Sequence, residues 1–306
     1  MTVTVLRLRA HEVWSALEVI DPVAVLAEDL IGRIVDRPGH ARRTAGLLVP
    51  WQGAERNGSE LVMLDHPDAT IRCVMPAHSL RASFAAALAA VAARELLASG
   101  GVTVAMLGST ETTQFQLSVI ARHVPDISHV ALCLAEGPRA VEPKLADQLE
   151  LSGIGWSVVR TPADAVFGAN LVIAADYGAA RQDLGSLRLG QLARGAVLVN
   201  ATGKDLPADL VDQVDEVFVD DSGLLEDHRD RRVVTNHLSG TTRRGDAGGR
   251  IAADLSQLLL GRHAGRLRTD DVVLVELLGV NDLNAELAYR IYEGATRTGL
   301  GERVAD

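Results

Sequence analysis

A glycine that ends an apolar run, followed by hydroxyl side chains at the start of a helical pattern, can hold a phosphate. Residues 102–107 read Val-Thr-Val-Ala-Met-Leu, β-branched and apolar in the manner of a buried parallel strand. Gly108, Ser109, Thr110, Glu111, Thr112 and Thr113 follow, and Phe115, Val119, Ile120 and Val124 then keep helical spacing. A second strand pattern fills residues 128–134. Strand, glycine turn, helix and strand open a βαβ unit whose helix N-terminus can carry a pyrophosphate. The turn departs from the glycine-rich fingerprint. Gly108 keeps the first glycine position, Thr110 takes the second, and Thr113 stands where the third small residue belongs. A β-branched Thr110 enters positive φ only at a cost and adds bulk beside the phosphate oxygens. Two readings stay open here, a nucleotide site and a plain βα turn. The hydroxyls of Ser109, Thr110, Thr112 and Thr113 would meet a phosphate in the first and cap the helix in the second.

Two charged residues join this turn as candidates. Arg81 falls in the first turn of an alanine-rich helical stretch at residues 79–99. A cation there opposes the helix dipole, so Arg81 is either a solvated surface arginine or the partner of an anion. Asp205 lies in Gly203-Lys204-Asp205, just past a strand pattern at residues 195–200. Ligands of doubly wound sheets bind outside the carboxyl ends of the strands, although a loop aspartate also serves as a cap or a solvated turn residue. Cys73 and Cys133 sit inside apolar strand patterns and are expected to be reduced core thiols.

The elements that must position these groups alternate along the chain. Strand patterns at residues 155–159, 170–175, 195–200 and 216–220 are separated by helical stretches, which implies a mostly parallel, doubly wound sheet. Before it, residues 2–8, 47–49, 61–64 and 70–75 read as strands and residues 11–17 and 22–35 as helices. After it come an expected amphipathic helix at residues 247–260, a strand at 272–277 and a helix at 281–298. The fold expected is α/β: a central Rossmann-type doubly wound parallel sheet at residues 100–270, plus an α+β domain built from residues 1–99 and 271–306.

With 306 residues, 47% of them hydrophobic and 3% aromatic, the core must be made of Ala, Val, Leu and Ile. Thirty basic against forty acidic residues give a net charge of −10, which argues against nucleic acid or an anionic membrane as a partner. The longest apolar run, residues 84–93, is too short to span a bilayer, and no charged-then-apolar leader opens the chain. A cytoplasmic protein is expected.

Three stretches together resemble the ornithine cyclodeaminase/mu-crystallin family. Leu80-Arg81-Ala82-Ser83 is similar to the family's Thr-Ala-Leu-Arg-Thr-x-Ala helix, which precedes its Gly-x-Gly-x-Gln-Ala turn. The stretch from Gly195 to Asp205, Gly-Ala-Val-Leu-Val-Asn-Ala-Thr-Gly-Lys-Asp, resembles Gly-Ala-His-Val-Asn-x-x-Gly-x-Asp. Gly261-Arg-His-Ala-Gly-Arg266 and the later Gly279-Val-Asn-Asp282 resemble the family's ending, and the succession covers roughly residues 6–301. The resemblance implies a substrate domain built from both chain ends, a Rossmann domain binding NAD or NADP, and a homodimer; the small first domain, with several strands and little helical cover, is expected to form its interface. It also implies chemistry at the α-carbon of an amino or imino acid through an imine. Arg81 would then hold the substrate carboxylate, Asp205 would handle the amine or the attacking nucleophile, and Arg42 or Arg43 would be a second carboxylate ligand.

The departures narrow this expectation. Deaminating members use a lysine before the alanine-rich helix, whereas lysine occurs here only at Lys144 and Lys204. The acid expected on the ribose at the end of the second strand is Glu136. Ordinary ornithine cyclodeamination is therefore not expected, and dinucleotide affinity should be weak. Two readings remain, an NAD(P)-dependent amino- or imino-acid oxidoreductase and a repurposed member without hydride chemistry.

Overall fold

Apolar residues on alternate positions open the chain as β1 (Thr4–Arg7) in the computed structural model, which describes residues 4–35, 47–51, 60–65, 72–137, 141–175, 184–240 and 250–305. Helices Ala10–Leu17 and Pro22–Val35 follow, the second started by Asp21, whose Oδ1 accepts from the amides of Val23 and Ala24. Strands β2 (Leu47–Pro50), β3 (Leu61–Asp65) and β4 (Arg72–Pro76) form an antiparallel meander, and β1 lies parallel to β4. Val5, Leu61 and Val74 are buried there against Trp51 and Met63.

Helix Ala77–Leu96 is alanine-rich, and its residues from Ala85 to Ala93 are nearly all inaccessible to solvent. Small side chains on every face allow neighbours to approach the helix from all sides. It begins two residues before the expected position, so Arg81 lies past the first turn and the dipole argument for an anion there weakens.

Continuous apolar runs then build a second sheet. Its strands are β5 (Val102–Gly108), β6 (Ile127–Leu134), β7 (Gly155–Val159), β8 (Leu171–Ala174), β9 (Val197–Asn200), β10 (Glu216–Val219), β11 (Ile251–Asp254) and β12 (Val273–Glu276). The spatial order is β11-β10-β12-β9-β8-β5-β6-β7, every pair parallel. From β5 the chain winds outward through β6 and β7, then returns to lay β8 and β9 on the other side. The order therefore reverses between β5 and β8, the doubly wound Rossmann-type arrangement. Two expectations are corrected. Residues 247–260 are not one helix: Ile251 and Ala253 are buried in strand β11, and only Leu255–Leu259 is helical, capped by Asp254. Strand β12 does not leave the parallel sheet but inserts between β9 and β10, because Val273, Leu274 and Val275 are apolar on both faces and suit a central strand.

Asn284 caps a last helix, Ala285–Thr298, which ends at the left-handed Gly299 before β13 (Glu302–Ala305) pairs antiparallel with β1. The first sheet thus runs β13-β1-β4-β3-β2. Two compact units result, Met1–Ala87 with Asn281–Asp306, and Leu88–Val280, rather than a division after residues 99 and 270. Both chain ends contribute to the first unit. Among the described residues no helix is long and apolar enough to cross a membrane.

Candidate functional site

At the end of β5 the buried Gly108 turns the chain, Ser109 stands in extended conformation at the N-cap, and the helix Thr110–His123 begins. Thr110 is its first helical residue and has no positive φ, so the turn forms without the conformation a second glycine would supply. Ser109 makes no side-chain cap bond. The cap comes from elsewhere: Oε2 of Glu136, two residues past β6, accepts from the Thr110 amide at 2.8 Å and the Thr110 hydroxyl at 2.7 Å. The expected ribose acid thus sits as an internal anion on the helix N-terminus, where a phosphate would lie. Thr112 is half-buried, and Thr113 is fully buried with its hydroxyl unpaired.

On the other side of the strand reversal, one register row places Asn200 at the end of β9 beside Glu276 at the end of β12. Asn200 Nδ2 donates to both Glu276 oxygens, at 2.9 and 3.0 Å, and to the Lys204 carbonyl at 2.8 Å. Asn200 Oδ1 accepts from the Thr202 hydroxyl at 2.7 Å, which tightens the loop toward Asp205. Arg231 is the hub of this cluster, with a side chain only 6% exposed. Its Nη2 donates to Glu276 Oε1 and, at 2.8 Å, to the Lys204 carbonyl; its Nε donates to Asp205 Oδ1 at 3.1 Å. Asp205 Oδ1 also accepts from the Arg232 amide at 3.1 Å and so caps the helix Arg232–Ser239. The Asp205 side chain is 44% exposed, and both of these bonds fall on one of its oxygens.

Asp220, just past β10, is fully buried and accepts from the amides of Leu278 at 2.8 Å and Gly279 at 2.9 Å. Burial pushes its carboxyl up to about 6, against the opposing pull of those amides. Sequence reasoning missed Asn200, Glu276, Arg231 and Asp220. The signal available was polar residues closing apolar strands, with a glutamate inside Val-Val-Leu-Val-Glu-Leu.

In the other unit, Arg81 Nη1 donates to Glu60 Oε2 at 3.0 Å and Nε to the Asn281 carbonyl at 3.1 Å. The cation is thus already offset by a carboxylate, and its side chain stays 34% exposed. Arg42 and Arg43 lie outside the described residues. Cys73 and Cys133 are buried and outside any disulfide, and burial pushes the Cys73 thiol up, away from reactivity.

The model of the ornithine cyclodeaminase/mu-crystallin family matches residues 53–299. No curated protein sequence matches the chain. Among solved structures, a lysine cyclodeaminase recognising L-lysine, L-ornithine and L-2,4-diaminobutyric acid superposes with a TM-score of 0.69 at 16% identity, covering 100% of this chain and 96% of that one. An archaeal alanine dehydrogenase dimer with bound NAD gives 0.68 at 16% identity, covering 98% and 99%. The Δ1-pyrroline-2-carboxylate reductase of Thermococcus litoralis, in complex with NADH and L-proline, gives 0.64 at 16% identity, covering 98% and 100%. At these identities the likeness is one of fold.

Proposed function

Because the chain belongs to the ornithine cyclodeaminase/mu-crystallin family, we propose that it is an NAD(P)-dependent oxidoreductase acting on an amino or imino acid through an imine. The observation that carries this reading is the helix N-terminus after Gly108, at the strand reversal, where the Glu136 carboxylate already takes the place of an anion. A site that holds a carboxylate on a helix amide and a hydroxyl fits a phosphate of a dinucleotide, once Glu136 turns outward from its exposed position. A dinucleotide with a phosphate held there would supply, through its nicotinamide, the acceptor or donor of a hydride.

The chain's own residues do the rest. Arg81 grips the substrate carboxylate through its guanidinium fork, exchanging Glu60 for the ligand. Asp205, with one oxygen anchored, uses the other to take a proton from the substrate ammonium and, being 44% exposed, passes it to water before hydride leaves. As hydride leaves the α-carbon and the C=N bond forms, the same carboxylate stabilises the iminium. The absence of lysine before Lys144 weighs against cyclodeamination. A homodimer through the first unit is part of this proposal, supported by two edge strands, β2 and β13, with Leu47 on β2 65% exposed.

The second reading, a member without hydride chemistry, is favoured by Thr110 and Thr113, which stand where the phosphate turn has its second glycine and its third small residue. Calorimetry with NADH and NADPH separates the two, together with reduced-nicotinamide absorbance on mixing NAD+ or NADP+ with L-alanine, L-proline, L-lysine and L-ornithine. Binding and turnover support the oxidoreductase; failure of both dinucleotides to bind removes it. In the active protein, Arg81→Ala should raise KM roughly a hundredfold, whereas Asp205→Asn should spare binding and abolish kcat.

A further inference from the structure

We infer that Arg231 is a positioning residue for Asp205, held in place by the buried Glu276. This rests on the role proposed for Asp205. Four features of the cluster lead to it.

The first is burial. Arg231 and Glu276 have side chains 6% and 2% exposed, whereas Asp205 is 44% exposed. A guanidinium so placed is fixed by the sheet and is not free to follow the loop. The second is division of labour within one side chain. Nη2 bridges Glu276 and the Lys204 carbonyl, while Nε alone reaches Asp205. The planar fork has both directions at once; an ammonium on a flexible stem does not.

The third feature is the anchor beneath. Asn200 donates to both oxygens of Glu276, and the two residues are direct register partners on β9 and β12. Position is therefore passed from the sheet to Glu276, then to Arg231, then to a carboxylate on a loop. The fourth is which atom is held. The Arg231 Nε and the Arg232 amide both meet Asp205 Oδ1, and Arg232 is itself locked by a two-bonded pair with Asp212 at 3.2 and 2.6 Å. One oxygen is clamped from two directions, so the direction of the other is set. A general base needs that orientation more than it needs extra charge. An ion pair serving only the fold would require Arg231 and Glu276 but not the reach to Asp205.

The test compares Arg231→Lys, Asp205→Asn and the double variant Arg231→Met with Glu276→Gln. The double variant removes both buried charges together, so neither is stranded if the lysine variant fails to fold. With whichever of L-alanine, L-proline, L-lysine or L-ornithine the protein oxidises, Arg231→Lys and the double variant should each lose kcat by at least about tenfold, with KM within about threefold. Independently of turnover, the Asp205 carboxyl carbon resonance, assigned by its loss in Asp205→Asn, should shift and broaden in Arg231→Lys. Unchanged kcat and an unmoved resonance in the Arg231 variants, beside an inactive Asp205→Asn, overturn the positioning role and leave the functional reading standing. A fully active Asp205→Asn overturns that reading, and this inference with it.

Discussion

Glu136 has the part opposite to the usual one for an acid at this place. An acid after the second Rossmann strand binds ribose hydroxyls, and removing it loosens the dinucleotide. Here the carboxylate accepts from the Thr110 amide and hydroxyl, so under the proposed function it would compete with a dinucleotide phosphate for the same donors. Glu136→Gln should therefore tighten NADH roughly five- to tenfold by calorimetry; a looser complex would assign Glu136 to the ribose instead. Thr110→Gly should act in the same direction by removing the hydroxyl and the bulk. The spacing of Gly108, Thr110 and Glu136 was legible in the sequence, but their mutual contact was not. The two partners are separated by a whole helix and strand, and only the parallel pairing of β5 with β6 brings them together.

At the scale of elements, the turn into β9 leaves no room for a side chain at its glycine. Gly195 has φ +70°, and a Cβ there would lie 2.3 Å from the Thr269 carbonyl oxygen and 2.8 Å from Arg266 Nη1. Arg266 uses that space to donate to the carbonyls of Gly195, Thr269 and Leu96. Gly195→Ala meets both a strained backbone and a backbone clash, and should cost about 2–4 kcal/mol in urea unfolding. Gly261, also left-handed but with open space around its Cβ position, should cost less when replaced by alanine, about 1 kcal/mol. Equal losses at the two sites would show that the Thr269 contact is not decisive. The insertion of β12 between β9 and β10 is the other junction that matters, because it sets Glu276 beside Asn200.

For the whole molecule, pH should act through Asp220. Its carboxyl is raised from 3.8 to about 6, so the folded protein binds this proton more tightly than the unfolded chain. That contribution to stability is complete below the unfolded value near 4 and is lost as pH rises through about 6, for a change of up to ~3 kcal/mol. Urea midpoints measured from pH 4 to pH 7 should include this falling component, and Asp220→Asn should remove it. Identical pH slopes for the two proteins would sink the assignment. The association proposed through the first unit predicts a sedimentation coefficient of a dimer at micromolar concentration, and a charged residue at Leu47 on the edge strand should weaken it.

Local pattern determined much of this. Apolar runs of four to seven residues fixed most of the parallel strands, because a strand covered on both faces needs no alternation and leaves a clear signature. Caps such as Asp21 and Thr161 marked helix starts because their side chains bond their own backbone a few residues on, whereas the last helix, expected from residue 281, begins only after the cap Asn284. The same locality let Arg81 and Asp205 be singled out. Tertiary structure alone decided what those groups touch. Residues 251–254 became a strand because a neighbouring edge was available, although their composition also suits a helix. The Asn200–Glu276–Arg231–Asp205 cluster depends on strand order, which sequence periodicity does not carry. Ion pairs and hydrogen bonds reach only a few ångströms, so partners distant along the chain become chemistry only once the sheet has chosen its neighbours.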